Sequence, residues 1–471
     1  MIMHNHPEPL SAAETALLFD RRDHRPVHFV GIAGAGMSAL AELFFRRGIA
    51  VSGCDANVAG TDDLVRLGIP VQLGHDPSHV ENSRALVITS AMPKDHPELV
   101  AARSKGLNVI RRAEALGAAV NHGRLVAVAG THGKTTTTTM TTDALANAGL
   151  DPTGVVGARV AAWSGNLRRG GDDLFVVEAD EYDRSFLTLQ PMVAVITNVE
   201  ADHLDIYEDL DDIRETFGRF AAGAKFLVRC DDDAGARSVP LPPGAEVIGF
   251  GVETPAARLV ARDIVQSAGG TRSRIEFDGK PLGELSLRLP GLHNVRNALA
   301  AIGSGLALGA SFEQLAGGLA RVAGAERRFQ VLGEKGGVLV VDDYAHHPTE
   351  IRATLAAARA AYPDRRLVAA FQPHLYTRTR DFSREFGEAL ALADVAMVAD
   401  LYPAREQPIP GVTAALVARA TESAGRDVAW EGPRGEMAEA LARAVRSGDI
   451  VITLGAGDVT KTGPELLALL P

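Results

Sequence analysis

The chain has 471 residues, 46% of them hydrophobic, and its formal net charge is −11 at pH 7. This length predicts roughly two to four domains with buried cores, and the acidic balance argues against a nucleic acid or an anionic membrane as the partner. No apolar run is long enough to span a membrane, and the two cysteines, Cys54 and Cys230, have no metal-binding spacing; these features fit a cytoplasmic protein.

The N-terminal tail, residues 1–25, carries histidines, prolines and charges, and it lacks the apolar core of a secretion signal. One short helix is predicted near residues 11–19. A first domain is predicted at 26–121, with a linker at 121–124. After an opening strand and a glycine-rich turn, its predicted helix lies at 39–47 and its further strands at 50–54, 85–89 and 108–110.

The glycine-rich turn contains Gly31, Gly34 and Gly36, and Asp55 follows the second strand. This strand, turn and helix order is typical of dinucleotide-binding folds. The glycine spacing is G-x-x-G-x-G, however, whereas the dinucleotide pattern is G-x-G-x-x-G. The turn therefore favours a diphosphate group and makes NAD a weaker expectation.

A phosphate-binding loop dominates the second predicted domain, residues 122–324. An apolar strand at 125–129 breaks at Gly130, and a helix is predicted from about Lys134. Backbone N–H groups at such a helix start attract anions. Lys134 supplies a charge for the β- and γ-phosphates of a nucleoside triphosphate, and Thr135 supplies a hydroxyl to Mg²⁺. The spacing is shorter than usual, with two residues between Gly130 and the Gly-Lys pair.

Two polar clusters follow further strands of this domain. Glu178 to Asp183 comes after a strand at 174–177, and Thr197 to His203 comes after a strand at 193–197. Ligands of parallel sheets bind at the carboxyl ends of strands, so both clusters are expected beside the phosphate loop. Glu178 suits Mg²⁺. His203 is a less typical ligand of Mg²⁺ and would suit Mn²⁺ equally well.

The remaining predicted elements of this domain are a strand at 225–228, a small antiparallel β patch within 241–290, and helices at 294–308 and 311–322.

A third α/β domain is predicted at residues 325–471. Two polar runs rich in His, Asp and Arg follow its strands, at 342–348 and 371–378, and they indicate one shared pocket. Its predicted strands lie at 338–341, 367–370, 395–398 and 450–454, with a helix at 349–361.

Taken together, these motifs resemble those of the Mur ligases, the ATP-dependent ligases of peptidoglycan synthesis. The resemblance runs from about residue 27 to the C-terminus, and its specificity comes from the order of six individually weak motifs. They are Gly130-Thr-His-Gly-Lys-Thr, Glu178-Ala-Asp-Glu, Asn198-x-Glu-x-Asp-His-Leu-Asp, Gly291-x-His-Asn-x-x-Asn, Arg327-Arg-Phe and Asp342-Asp-Tyr-Ala-His-His-Pro.

The resemblance implies an α/β enzyme of three domains: an N-terminal Rossmann-like domain for a UDP-sugar, a central mixed sheet of the P-loop ATPase type, and a C-terminal Rossmann-like parallel sheet. The implied reaction joins L-alanine to the lactyl carboxylate of UDP-N-acetylmuramate through an acyl phosphate, giving ADP and phosphate. ATP and Mg²⁺, or Mn²⁺, are the implied cofactors. The implied partners are small molecules, and the chain is expected to be a monomer or a homodimer.

The resemblance also implies roles for individual residues. The implied catalytic residues are Lys134, His203, Arg328 and His346. The implied ATP contacts are Gly130, Thr131, His132, Gly133, Lys134, Thr135, Thr136, His293, Asn294, Asn297, Arg328, Asp342 and Asp343, and the implied metal ligands are Thr135, Glu178 and His203. The UDP-sugar would contact Gly31, Gly34, Gly36, Met37, Ser38, Asp55 and Ser90. The amino acid would contact Tyr344, His346, His374 and Arg378.

Two departures from the family pattern bear on the substrate. Relatives that add later residues use a carbamylated lysine near the metals, but no lysine occurs here between His203 and Lys225, as in the alanine-adding branch. Leu375 stands where some members carry arginine, so Arg378 is the local candidate for binding the alanine carboxylate.

Three other functions are alternatives to an alanine-adding ligase. They are a murein tripeptide-recycling ligase, a nucleotide-dependent switch protein, and an NAD oxidoreductase suggested by the first domain alone.

Overall fold

The computed structural model describes residues 6–90, 92–203, 206–404 and 406–471. These residues form two compact units. One contains the described residues up to Arg262 together with Arg274–Leu285 and Arg296–Val322, and the other contains Asp263–Ser273, Ser286–Val295 and Ala323–Pro471. Residues 1–5 of the predicted tail, and Leu204 and Asp205 of the third motif, lie outside the described residues.

A five-stranded parallel sheet forms the first domain, in the order β3-β2-β1-β4-β5. All its carboxyl ends therefore lie at one edge. Its strands are β1 Val27–Val30, β2 Val51–Asp55, β3 Val71–Leu73, β4 Ala85–Ile88 and β5 Asn108–Arg111, and its helices are α1 Ala12–Leu18, α2 Ala35–Arg46, α3 Asp62–Arg66, α4 Pro97–Ser104 and α5 Arg112–Val120.

Helix α2 begins four residues earlier than predicted. Gly34 is the N-cap of α2, and the Ser38 N–H donates to the Gly34 carbonyl at 2.8 Å. Gly36, Met37 and Ser38 therefore belong to the first helical turn and not to a loop. The glycines that predicted a turn are also compatible with a helix start, because glycine is accepted at the N-cap position. The short tail helix, α1, is confirmed, with Ser11 and Glu14 forming a capping box.

The central sheet has ten strands in the order β15-β14-β13-β12-β11-β10-β6-β9-β7-β8. Here β6 lies between β10 and β9, and both pairings are parallel. The strands are β6 Arg124–Ala129, β7 Thr153–Val160, β8 Gly165–Arg168, β9 Leu174–Glu178, β10 Val193–Ile196, β11 Phe226–Cys230, β12 Glu246–Gly251, β13 Leu259–Ser267, β14 Gly270–Phe277 and β15 Lys280–Leu287. The helices are α6 Lys134–Asn147, α7 Leu210–Ala221, α8 Ala234–Ser238, α9 Leu292–Ala307 and α10 Phe312–Leu319.

The helix after the phosphate loop is built from residues with poor helix propensity. Five consecutive threonines follow Lys134, and β-branched side chains disfavour helices. Their hydroxyls are accommodated within the helix itself: Thr138 donates to the Lys134 carbonyl at 2.8 Å and Thr141 to the Thr137 carbonyl at 2.7 Å. Because these residues are buried, tertiary packing and not local propensity holds α6 in place.

The third domain is a six-stranded sheet in the order β16-β17-β21-β18-β19-β20. It is parallel as predicted, except that the edge strand β16 is antiparallel to β17. The strands are β16 Gln330–Lys335, β17 Val338–Asp343, β18 Arg366–Phe371, β19 Val395–Ala399, β20 Val428–Gly432 and β21 Asp449–Leu454. The helices are α11 Pro348–Ala361, α12 Tyr376–Asp381, α13 Ser383–Leu390, α14 Ala415–Ser423, α15 Met437–Ala444 and α16 Thr462–Leu469.

Within the described part of the chain, none of the helices combines the length and the apolar character needed to cross a membrane.

Candidate active site

The phosphate loop follows β6 and ends at the start of α6, as predicted. Its glycines are required by their surroundings. Gly130 has φ +140°, and a Cβ there would lie 1.9 Å from the Thr197 hydroxyl oxygen. Gly133 has φ +83°, and a Cβ there would lie 2.7 Å from Asn297 Oδ1. Both positions need a residue that tolerates positive φ and close approach, so glycine is the residue that fits.

The segment after β10 holds this loop in shape. The His132 N–H donates to Asn198 Oδ1 at 2.8 Å, and the Thr197 hydroxyl donates to the His132 carbonyl at 2.7 Å. The Glu200 N–H donates to the Thr131 hydroxyl at 2.9 Å. The second polar cluster therefore contacts the loop directly, as the strand order predicts. Its first residues brace the loop backbone.

Lys134 is paired with a carboxylate at the base of the loop. Its Nζ donates to Glu181 Oε1 at 2.8 Å and to the Gly130 carbonyl at 2.7 Å. Burial works to lower the pKa of Lys134, but the nearby carboxylates, Glu181 first, outweigh it and raise that pKa. The ammonium is therefore charged at neutral pH. Glu181, although it lies in the predicted acidic run, is not among the predicted site residues.

Glu178 and Thr135 come together as the sequence predicts. The Thr135 hydroxyl donates to Glu178 Oε2 at 3.0 Å, and the same oxygen accepts the Gly157 N–H at 2.8 Å. A hydroxyl and a carboxylate at the start of a phosphate loop are oxygen donors of the kind that Mg²⁺ prefers. The donor chemistry of this pair thus fits a magnesium ion.

His203 lies near Glu181, the carboxylate that pairs with Lys134. Its Nε2 is 3.8 Å from Glu181 Oε1, and its ring packs edge-on against Tyr182 with a centroid separation of 5.1 Å. The residue has φ +56°, a conformation that is uncommon for a non-glycine residue. Glu181 therefore joins two of the predicted catalytic residues. In the sequence, Glu181 is indicated only by its place in the motif Glu178-Ala-Asp-Glu.

A cavity of about 330 Å³ extends from the glycine-rich turn to the carboxylates of Glu178 and Asp180. Five segments form its walls: the start of α2, the residue after β4, the start of α5, the middle of β7 and the end of β9. Its lining residues are Gly34, Ala35, Gly36, Met37, Leu40, Thr89, Arg112, Leu116, Val155, Val156, Gly157, Glu178 and Asp180. The predicted UDP-sugar residues Gly34, Gly36 and Met37 are among them.

Several predicted UDP-sugar residues lie outside the cavity lining. Asp55 braces the turn, because its carboxylate accepts the Ala33 N–H and the Asn57 N–H at 3.0 Å each. Gly31 donates its N–H to the Cys54 carbonyl at 2.8 Å. Ser38 donates its hydroxyl to the Ala35 carbonyl at 2.9 Å, and Ser90 is exposed beyond β4.

Arg112 is the cationic group of the cavity and is not among the predicted site residues. Its Nη2 lies 3.5 Å from Asp180 Oδ2, and a Cβ on Gly36 would lie 3.0 Å from its Nη1. It occurs at the first position of a helix and in no recognisable motif, so only the packing of α5 against α2 reveals it.

The polar start of α9 contributes one residue to the loop. Asn297 Oδ1 accepts the Thr137 hydroxyl at 3.1 Å, beside Gly133. Asn294 is inside the helix, which begins at Leu292, and its side chain donates to the Pro290 carbonyl at 2.7 Å. His293 lies in the same first turn, and Thr136 is buried in α6.

In the third domain the four predicted amino-acid-binding residues come together. The ring of His346 lies 5.0 Å from that of Tyr344 and 6.0 Å from that of His374, measured between centroids. Burial, together with the nearby charge of Arg378, lowers the pKa of His346 to about 3 and that of His374 to about 4. Both imidazoles are therefore neutral at pH 7. His346 Nδ1 is 2.9 Å from the Tyr344 carbonyl, so Nδ1 carries the proton and Nε2 is an acceptor.

The remaining predicted residues of this domain surround Tyr344. The Arg328 guanidinium lies 5.1 Å from the Tyr344 ring centroid. Asp343 accepts the N–H groups of Phe329 and Ala345 at 2.8 Å each. Asp342 accepts Arg327 Nε at 3.0 Å and the Thr453 hydroxyl at 2.5 Å. Both carboxylates thus already accept hydrogen bonds within the domain.

Comparisons with known proteins cover nearly the whole chain. Residues 26–124 match the family model described as Mur ligase family, catalytic domain; residues 128–305 match the Mur ligase middle domain; and residues 327–457 match the Mur ligase, glutamate ligase domain.

Two similar curated proteins carry the name UDP-N-acetylmuramate–L-alanine ligase. The chain is 46% identical to the one from Acidothermus cellulolyticus over 94% of both chains, and 45% identical to the one from Cutibacterium acnes over 98% of this chain and 99% of the other. A crystal structure of UDP-N-acetylmuramate–alanine ligase from Thermotoga maritima matches with a TM-score of 0.81 at 28% identity, over 94% of this chain and 99% of the other. A murein peptide ligase from Psychrobacter arcticus shares the fold, with a TM-score of 0.70 at 24% identity over 94% and 98%.

Proposed function

Because the chain belongs to the Mur ligase family, we propose that it joins L-alanine to the lactyl carboxylate of UDP-N-acetylmuramate and converts ATP to ADP and phosphate. One observation carries the proposal. The cavity that begins at the glycine-rich turn ends at Glu178, and Glu178 bonds to Thr135 of the phosphate loop. A nucleotide sugar in this cavity can therefore present a carboxylate to a phosphate held by the loop. The named relatives, similar over nearly the full length, support the same reaction.

The first chemical step transfers the γ-phosphoryl group to the lactyl carboxylate, which is too poor an acylating agent to react with an amine directly. Such a transfer depends on positioning and on neutralising charge. Lys134 supplies a positive charge at the loop. Thr135 and Glu178 would hold Mg²⁺, with His203 as a further candidate ligand, and the bound ion would offset negative charge on the phosphates. Arg328 is the proposed cation from the third domain.

Lys134 must exchange partners for this step. In the structure its ammonium binds Glu181 at 2.8 Å. A triphosphate carries more negative charge than one carboxylate and accepts several hydrogen bonds, so ATP would draw Lys134 away from Glu181. Glu181 would then remain beside His203, 3.8 Å from its Nε2.

The second step is attack of the alanine amine on the acyl phosphate. We assign the amino acid to the group formed by Tyr344, His346, His374 and Arg378. Arg378 suits the alanine carboxylate because a guanidinium can bind both oxygens. His346 is a hydrogen-bond acceptor for the amine; with a pKa of about 3 it is too weak a base to keep a proton at pH 7.

The proposed site residues fall in three domains, at 26–121, 122–324 and 325–471. The first would hold the UDP-sugar, the second ATP with its metal, and the third the amino acid and part of ATP. A cytoplasmic location fits these substrates, since ATP and nucleotide sugars are made in that compartment.

The experiment measures phosphate release from ATP in the presence of UDP-N-acetylmuramate and one amine at a time. We expect release that depends on L-alanine and a product heavier by one alanine residue in mass spectrometry. The L-alanyl-γ-D-glutamyl-diaminopimelate tripeptide is the competing amine. Turnover with this tripeptide and none with alanine would show that the chain is a recycling ligase instead.

A further inference from the structure

A buried cluster of imidazole, thiol and carboxylate groups lies in the first domain, outside the cavity described above. His28 comes from β1, Cys54 from β2, His79 from the 3-10 helix Pro77–Val80 and Glu98 from α4. One donor atom from each of the four lies within 4.8 Å of every other. Because four separate elements supply these groups, their spacing along the chain gives no metal-binding pattern.

The separations suit a small, tetrahedrally coordinated ion. His28 Nε2 is 3.4 Å from Cys54 Sγ, Cys54 Sγ is 3.1 Å from Glu98 Oε1, and His79 Nδ1 is 2.7 Å from the same oxygen. Zn–N bonds of about 2.0–2.1 Å and Zn–S bonds of about 2.3 Å place the ligand atoms of a tetrahedron about 3.3–3.8 Å apart. Of these three contacts, the one between His79 and Glu98 must lengthen most.

Glu98 is a fully buried carboxylate, at 0% exposure, and so are His28 and Cys54. Among the described residues, every ion pair recorded for Glu98 is with a histidine, never with lysine or arginine. A buried carboxylate is costly unless a positive charge compensates it. A divalent cation would supply that charge.

The surroundings also resemble those of a metal site. The second ring nitrogen of His28, Nδ1, is 2.9 Å from the Ser52 hydroxyl, and metal-binding histidines are usually oriented by such a hydrogen bond. His75 Nδ1 lies 3.3 Å from Cys54 Sγ. His96 Nδ1 is buried without a hydrogen-bond partner, 4.0 Å from Glu98 Oε2. The side chains of His75 and His96 are 27% and 12% exposed, which gives an ion a route from solvent.

We propose that His28, Cys54, His79 and Glu98 bind one divalent transition-metal ion, and that Zn²⁺ is the ion that fits best. One thiolate, two imidazoles and one carboxylate are zinc ligands, whereas Mg²⁺ prefers oxygen ligands alone. The Cys54 thiol gives up its proton to solvent on binding. This site is distinct from the proposed ATP metal site at Thr135 and Glu178.

The ion would stabilise the glycine-rich turn. The Cys54 carbonyl accepts the N–H groups of Gly31 and Ile32, at 2.8 and 3.1 Å. Fixing the Cys54 side chain therefore fixes the backbone that shapes the turn. The proposed role is structural support of the sugar-nucleotide cavity.

The test uses full-length protein, stripped of metal with a chelator and kept free of ATP. Co²⁺ is titrated in the presence of excess Mg²⁺, which occupies oxygen-only sites. We expect one equivalent of Co²⁺ to bind with the tetrahedral visible spectrum and an ultraviolet thiolate-to-cobalt band, and Zn²⁺ to displace it. Affinity should rise with pH, because the thiol must lose its proton.

Matched variants locate the site. Cys54→Ser should abolish the thiolate band, and His79→Gln should weaken binding by more than the roughly 10–100-fold expected for Ser52→Ala, which removes only the outer hydrogen bond to His28. Cys230→Ser, at the other buried cysteine, and His122→Gln should leave binding unchanged.

Circular dichroism of each metal-free variant checks that it is folded, and the wild-type spectrum tests the proposal even if a variant fails to fold. Absence of stoichiometric Co²⁺ binding by the wild type would show that the cluster is only a hydrogen-bonded network. A thiolate band that survives in folded Cys54→Ser would place the ion elsewhere. Either result overturns the proposal.

Discussion

At the scale of a single residue, Lys134 has a structural role in addition to the phosphate contact that the sequence predicts. A loop lysine is expected to matter for phosphate chemistry alone, since lysines are seldom buried. Here its side chain is 15% exposed and paired with Glu181, whose side chain is 4% exposed. Lys134 therefore contributes to folding as well as to charge.

We expect Lys134→Ala to lower ligase kcat/KM on the order of 10²–10³-fold, as for loss of one group that stabilises transition-state charge. It should also cost roughly 3–5 kcal/mol in unfolding free energy, because it leaves Glu181 buried without its partner. Adding Glu181→Gln should restore most of the stability and none of the activity. Urea unfolding and phosphate release measure the two effects separately. Near-normal turnover in Lys134→Ala would contradict the phosphate-loop assignment.

The neutral histidines of the third domain predict a dependence of stability on pH. An unfolded histidine has a pKa of about 6.5, whereas burial lowers the pKa of folded His346 to about 3. Below pH 6.5 the unfolded chain binds a proton that the folded chain does not, so stability falls as the pH decreases.

Replacing this histidine should make the acid side of the stability curve less steep. We expect His346→Gln to reduce the slope of unfolding free energy between about pH 6 and pH 4 by up to roughly 1.4 kcal/mol per pH unit. Urea unfolding across this range measures it. His122→Gln, at a side chain that is 46% exposed, is the control. An unchanged slope in His346→Gln would mean that His346 is not held neutral.

At the scale of elements, α6 shows why a helix can form against its propensity. Its threonine hydroxyls bond within the helix, as between Thr141 and the Thr137 carbonyl, while their methyl groups fill the core. Two hydroxyls differ, because Thr135 donates to Glu178 Oε2 at 3.0 Å and Thr137 donates to Asn297 Oδ1 at 3.1 Å. The same chemical group thus has two structural roles on one helix.

These roles predict different stability costs for the same substitution. Thr141→Val removes a hydroxyl whose carbonyl acceptor keeps its helical hydrogen bond, so stability should change by less than about 1 kcal/mol. Thr137→Val takes away a buried hydrogen bond of Asn297 and should cost about 1–3 kcal/mol. Thermal and urea unfolding compare the pair. Equal effects would mean that the contact between Thr137 and Asn297 adds no stability.

The central strands and their polar ends could be predicted because β6, β9 and β10 are apolar runs that each stop at a charged or polar motif. The β7–β8 hairpin could not, since its glycine- and arginine-containing sequence lacks a clear alternation. The start of α2 was misplaced because glycines indicate turns and helix starts alike. Arg112 and the cavity depend on contacts between α5, α2 and β7, which no local pattern encodes.

At the scale of the whole molecule, one hydrophobic cluster spans the first two domains, and further clusters belong to the third domain. The first cluster extends from Leu18 through both the first and the central domains to Val239, and those of the third domain lie from Phe329 onward. The first two domains therefore share one core, and we expect them to unfold together.

Calorimetry should accordingly show two unfolding transitions. UDP-N-acetylmuramate at a hundredfold excess over its Kd should stabilise one of them by about 2.7 kcal/mol and leave the other unchanged. NAD should shift neither. A single transition that moves as a whole with the sugar nucleotide would contradict this expectation.

The position of Glu178 affects how ATP and the sugar nucleotide bind together. One of its oxygens accepts both the Thr135 hydroxyl and the N–H of Gly157, a residue of the cavity wall. A ligand that draws this carboxylate toward the loop alters the wall, and a ligand against the wall alters the loop. The affinities are thus thermodynamically linked, and reciprocity makes the factor by which ATP changes the binding of the sugar nucleotide equal to the factor in the other direction.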